Sequence, residues 1–137
     1  MTVDPAPLPV TCVTVSSALG GSDRVLLEFA ARAAAYGVAP TVALPKPGPL
    51  LDALGAAGVP TVLAPAPERL LAATRYAGLP AERLPAFALD MRAWSREIRR
   101  AMPPATRVLY SNGFKAHLAC ALVRGPRRVW HLHEFPP

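Results

Sequence analysis

The chain has 137 residues, 52% of them apolar and 18% charged, and carries a formal net charge of +6. That length holds one ordinary domain and not two, and the apolar share excludes a disordered chain, which buries too little to offset its ordering entropy. No window reaches the ~18 uninterrupted apolar residues of a membrane span, and residues 1–9 show neither a basic nor an apolar leader region, so the expected compartment is the cytosol.

A β-branched, apolar run from Val10 to Ser16 predicts the first strand. It passes through Ser17-Ala18-Leu19-Gly20-Gly21-Ser22-Asp23 into a helical pattern in which Val25, Leu26, Phe29, Ala30 and Ala33 share one face, with Gly37 as the expected stop. Pro40 to Leu44 reads as a second strand. A helix is expected from Pro49 to Gly58, with proline inside its start and glycine past its end. Pro60 to Ala64 is a third strand. Pro65 to Pro85, rich in proline and alanine, shows no clear period.

Ala86 to Met102 is the clearest helix: Phe87, Met91, Trp94, Ile98 and Ala101 form a stripe, and Arg92, Arg96, Arg99 and Arg100 share the opposite face. Pro103-Pro104 ends it. A fourth strand, Arg107 to Tyr110, a helix, Phe114 to Val123, and a fifth strand, Arg127 to His133, complete the pattern. Strands alternating with helices predict right-handed βαβ units and a parallel sheet of about five strands. The expected fold class is α/β, a Rossmann-like three-layer α/β/α domain spanning 1–137. The 17 prolines fall singly or in pairs between apolar runs, as punctuation. Cys12 and Cys120 lie in apolar stretches and are expected to be reduced core thiols.

The charge is uneven. From Arg92 to Arg128 there are eight arginines and Lys115 against one acid, Glu97, whereas the first 91 residues are slightly acidic. A basic half can meet nucleic acid, anionic lipid or a phosphorylated substrate. A GC-rich genome would also give arginine over lysine, so the count alone decides nothing. With no stacking platform and no recognised binding motif, nucleic acid is not an expected partner. The arginine face of helix 86–102 is a solvated surface or, in a second reading, a peripheral contact with anionic lipid at the inner face of the membrane.

Several residues could carry chemistry where strands meet helices. Gly20-Gly21 is either a tight turn needing positive φ or a place where backbone N–H groups approach a phosphate. There is no G-x-G-x-x-G, no acid ending the second strand and no Walker A loop, which disfavours NAD and ATP. His131 and His133 share a strand face, a spacing open to metal chelation, to packing, or to a rim histidine that hydrogen-bonds a substrate hydroxyl. Asn112 and Lys115 flank the loop after the fourth strand, which is either a capped helix start or part of a site. The glycine pair, Asn112, Lys115 and His133 all fall at one edge of the predicted sheet, where open α/β proteins bind ligands.

The segments G-G-S-D-R-V-L-L-E-F-A and P-G-P-L-L-D-A-L-G-A-A-G-V-P-T-V resemble the opening of family 4 (group 1) glycosyltransferases. Y-S-N-G-F-K-A-H-L-A-C-A-L and V-W-H-L-H-E-F-P-P are similar to the second half of the same N-terminal domain. The resemblance runs from Val10 to Pro137, with Pro65 to Pro85 unmatched. It implies a retaining enzyme of GT-B type, in which two Rossmann-like domains close on a nucleotide-sugar donor and an acceptor. Gly20 and Gly21 would approach the donor's diphosphate and sugar, and His133 would contact the reacting sugar or acceptor. Asn112 and Lys115 would lie on the acceptor side, and Glu134 stands where an Asp is more usual. No cofactor and no metal are expected.

The family's E-x₇-E carboxylates have no counterpart here, because the sequence stops just past the fifth strand. The expectation is an incomplete, acceptor-side domain, inactive alone, that needs a C-terminal donor-binding domain in cis or in trans. The acceptor is not named by the sequence. Three alternatives stand beside it: a stand-alone module pairing with a separate donor-domain chain, a lipid-surface domain acting through Arg92, Arg96, Arg99 and Arg100, and a metal-dependent hydrolase using His131 and His133.

Overall fold

A computed structural model describes residues 5–73 and 80–133. Glu134 therefore lies outside the described residues. Five strands, β1 (Leu8–Thr14), β2 (Val38–Leu44), β3 (Thr61–Leu63), β4 (Val108–Asn112) and β5 (Arg127–His131), form one sheet in the order β3-β2-β1-β4-β5. Every pairing is parallel. The helices are α1 (Gly21–Arg32), α2 (Pro49–Ala56), α3 (Glu68–Ala72), α4 (Leu84–Ala101) and α5 (Phe114–Ala121). The fold is the expected Rossmann-like α/β class.

Alternation along the strands explains the three layers. Val10, Cys12, Val42 and Leu44 face one way and pack with Leu26, Ala30, Leu50 and Leu54 of α1 and α2. Val13, Ala43 and Leu109 face the other way and pack with Leu70 of α3, Met91, Trp94 and Ile98 of α4, and Ala116, Ala119 and Cys120 of α5. The Trp94 indole N–H donates to the Ala64 carbonyl at 3.0 Å, so the largest core side chain leaves no polar atom unsatisfied. Cys12 and Cys120 are free and buried, and burial pushes both thiols up to about 12.

The boundaries differ from the sequence pattern at informative places. Helix α1 begins at Gly21 itself and continues into a 3₁₀ turn, Ala33–Tyr36, which Gly37 closes at φ +71°. Within the described part of the uncertain stretch lie α3, whose Arg69 pairs bidentately with the nearly buried Asp90 of α4 at 2.5 and 2.7 Å, a 3₁₀ turn at Ala81–Arg83 and the start of α4 at Leu84. Strand β4 runs two residues further than expected, so Ser111 and Asn112 are strand residues. Strand β5 ends at His131, two residues short, leaving His133 beyond it.

The chain crosses from β3 to β4 on the far side of β1, so the strand order reverses between β1 and β4. In open α/β sheets that reversal opens a crevice at the carboxyl ends of the strands. Here those ends are level: Thr14 pairs with Asn112, and Asn112 with His131.

Candidate functional site

The β1–α1 loop forms one wall of the crevice. Gly20 has φ −71° and ψ −179°, and neither Gly20 nor Gly21 has a positive φ, so the turn reading of the pair fails. A Cβ on Gly20 would sit 3.3 Å from Asp23 Oδ2, and one on Gly21 would meet nothing within 4 Å. The pair puts no side chain of its own over the N-terminus of α1, whose first N–H groups lack an intrahelical partner, while Asp23 reaches back to the Gly20 N–H.

Asp23 shapes this loop, a role the sequence reading did not assign to it. Its Oδ2 accepts from Ser16 Oγ at 3.0 Å and from the Gly20 N–H at 3.1 Å, while Ser16 Oγ accepts from the Ala18 N–H at 3.0 Å. Asp23 is buried, and among the described residues its Oδ1 has no partner. A G-x-x-D pattern at a helix start was the available signal, since an acid at the third helical position reaches back to the cap residue. Gly48 holds the loop from the other side. A Cβ there would lie 2.6 Å from the Ser17 carbonyl oxygen, which accepts from the Leu50 N–H, and Ser17 Oγ donates to the Lys46 carbonyl at 2.6 Å.

Asn112 and His133 form the opposite wall. Asn112 is buried at the end of β4, and its Nδ2 donates to the Ser22 carbonyl in the first turn of α1 at 3.4 Å. Its Oδ1 must then accept, so His133 donates from Nε2 to Asn112 Oδ1. In the neutral ring the lone pair is left on Nδ1. The ring centroids of His131 and His133 are 3.9 Å apart although His133 lies beyond the end of β5, so their contact does not come from strand alternation, and His131 Nδ1 bonds the Tyr110 hydroxyl. Burial pushes Tyr110 up to about 12, with the buried Cys12 thiol adding to the rise, so this phenol is a donor to neutral His131. Burial and then the neighbouring His133 hold His131 below the usual histidine range. Tyr110 stacks on Phe29 of α1 at 5.0 Å.

A second polar pair lies on the other sheet face. Ser111 Oγ lies 2.6 Å from Nδ1 of the buried His117 and donates to the Val129 carbonyl at 3.3 Å, so His117 carries the proton of the shared bond. His117 stacks on Trp130 at 5.2 Å; burial first, and then His131, lower its affinity for a proton. Among the described residues no three His, Cys, Asp or Glu side chains group as a metal site.

The structure thus brings Gly20, Gly21, Asn112 and His133 together at the carboxyl ends of β1, β4 and β5. Lys115 is not among them. Its ammonium is directed to the end of α3, where it donates to the carbonyls of Leu70 at 2.7 Å, Leu71 at 3.1 Å and Ala73, and burial lowers its proton affinity. Arg92, Arg96, Arg99 and Arg100 are exposed on α4, with Arg100 bonded to Glu97 at 2.5 Å. No helix among the described residues is long and apolar enough to cross a membrane.

No protein-family model matches the chain, and no curated protein matches it. Solved structures do. The glycotransferase of kitacinnamycin aligns with 92% of this chain at a TM-score of 0.59 and 18% identity. A glycosyltransferase from Rickettsia africae ESF-5 aligns with 93% at 0.55 and 13% identity. HepE from Anabaena, solved in complex with UDP and glucose, aligns with 91% at 0.53 and 18% identity. In each case the chain spans 30% of the length of the other protein. At these identities the likeness is one of fold: the five-stranded parallel sheet and its flanking helices form the Rossmann-like arrangement found in these glycosyltransferases.

Proposed function

We propose that this chain is the N-terminal, acceptor-side part of a retaining family 4 glycosyltransferase of GT-B type, which moves a hexose from a nucleotide-sugar donor to an acceptor hydroxyl. The observation that carries this reading is a juxtaposition: the N-terminus of α1 at Gly20-Gly21 lies beside the Asn112–His133 pair at the carboxyl ends of β1, β4 and β5, joined to it by the hydrogen bond from Asn112 to the Ser22 carbonyl. Glycosyl transfer breaks the bond from the anomeric carbon to the donor diphosphate, forms one to the acceptor oxygen, and releases the acceptor proton. The site must therefore stabilise a leaving anion and orient a hydroxyl.

Helix N–H groups suit the first task. His133 suits the second: with Nε2 committed to Asn112, its Nδ1 is the atom that accepts from an acceptor or sugar hydroxyl. Glu134 follows as a further carboxylate. Lys115 contributes by tying α5 to the end of α3 rather than by touching the sugar. The donor base and much of the sugar are read by a second, C-terminal domain, supplied in cis or in trans, so the 137-residue chain alone does not turn over.

The test is to read the gene past the codon for Pro137 and to assay the product of that frame with nucleotide sugars. A continuing frame with E-x₇-E and sugar transfer, slowed strongly by His133→Ala, is the expected result. A full-length product that transfers no sugar, a His133→Ala variant as fast as the parent, or turnover by the 137-residue chain alone would overturn the proposal.

A further inference from the structure

A second concave site lies at the opposite end of the sheet. A groove of about 690 Å³ is lined by Leu8, Thr106 and Val108 at the starts of β1 and β4, and by four arginines: Arg99, Arg107, Arg124 and Arg127. They come from three places in the chain. Arg99 is in the last turn of α4, Arg107 immediately precedes β4, and Arg124 and Arg127 flank the Gly125-Pro126 turn between α5 and β5. Among the described residues, no acidic side chain lines the groove.

Ion pairing does not account for this gathering. Among the described residues the salt bridges use Arg32, Lys46, Arg69 and Arg100, and none reaches these four guanidinium groups. Capping of helix ends is visible close by, but through another residue: Arg128 Nη1 donates to the Ala121 carbonyl at the end of α5 at 2.8 Å. Four like charges around one depression repel each other, an arrangement that costs stability until an anion enters. The groove lies at the amino ends of the strands, away from the crevice that holds Asn112 and His133, so a ligand here is separate from the sugar-transfer chemistry.

We propose that this groove binds a phosphate-bearing anion, held by Arg99, Arg107, Arg124 and Arg127. Guanidinium groups bind phosphate oxygens bidentately, and four of them exceed what a single carboxylate can satisfy. A soluble diphosphate and the phosphodiester headgroup of an anionic lipid present the same chemistry, and both are sources of it.

The experiment uses the 137-residue chain, titrated calorimetrically with inorganic pyrophosphate and sedimented with phosphatidylcholine vesicles that either contain or lack phosphatidylglycerol. The test variant is R107Q/R124Q. The control is R92Q/R96Q, which removes the same charge from the outer face of α4, outside the groove. Saturable pyrophosphate binding that weakens about tenfold or more in R107Q/R124Q, but not in the control, supports the site with a soluble ligand. Binding confined to phosphatidylglycerol vesicles, with the same dependence on the variants, supports it with a lipid ligand. No binding to either probe, or equal losses in both double variants, would overturn it. Neither readout depends on sugar transfer.

Discussion

His133 shows how one side chain acquires a role from its neighbours. Asn112 donates to the Ser22 carbonyl with its amide nitrogen, which obliges its oxygen to accept and so places the His133 proton on Nε2. On the proposed reading, His133→Ala in the full-length product is expected to lower kcat by about 10²-fold or more with the circular dichroism unchanged. Asn112→Ala should lower it less, because it frees the ring without removing it; equal rates for parent and both variants would exclude the pair from the reaction. Asp23 works against a bound phosphate, since its carboxylate already occupies the end of α1. Asp23→Asn keeps a hydrogen-bond acceptor for Gly20 and removes the charge. On the proposed reading, the expected outcome, read by titrating the diphosphate product of the donor that supports transfer into the full-length product, is tighter binding by a few fold, and weaker binding would refute the electrostatic account.

At the scale of elements, the site is supported by contacts between loops far apart in sequence. Gly48 packs against Ser17, and Lys115 of α5 caps the carboxyl end of α3 with three hydrogen bonds. Helix α3 is five residues long, too short to persist without such contacts. Lys115→Met retains much of the aliphatic stem and leaves those carbonyls without their partner. It should destabilise the chain by about 1–3 kcal/mol in urea unfolding, while Lys115→Arg recovers part of the loss. The groove arginines, by contrast, are exposed at the opposite end of the sheet, where charge removal changes ligand binding and leaves the fold in place.

Across the molecule, separate apolar clusters cover the two faces of the central strands while β5 stays largely exposed, and Tyr110, His117, His131 and His133 gather at the carboxyl end. His117 and His131 both hold protons less well folded than unfolded, chiefly through burial. Stability is therefore fully present above the unfolded histidine value of 6.5 and is lost as the pH falls from there through the lower folded values. Thermal unfolding should show Tm falling between pH 7 and pH 5. His117→Gln, which keeps a polar group beside Ser111 without a titration in that range, should flatten the slope. An unchanged slope would show that the buried imidazole is not what acid attacks.

Much of this was legible in the sequence because it follows from local periodicity. Alternating β-branched runs and helical stripes specify five strands and every helix except α3, and Gly37 closes the 3₁₀ turn after α1 for a steric reason that any reader of the chain can apply. The strand ends were less legible, since Ser111 and Asn112 suit a turn as well as a strand and only pairing with β1 and β5 holds them extended. Spacing along the chain placed Lys115 beside Asn112, yet the first turn of a helix diverges from the strand before it, and the Lys115 ammonium finds its carbonyl acceptors on α3 instead. The groove of Arg99, Arg107, Arg124 and Arg127 appears in the sequence only as an excess of charge. Bringing a helix end, a strand start and a turn around one depression is a property of the packed sheet, because the crossover that sets β4 and β5 beside β1 is a long-range choice that no local pattern encodes.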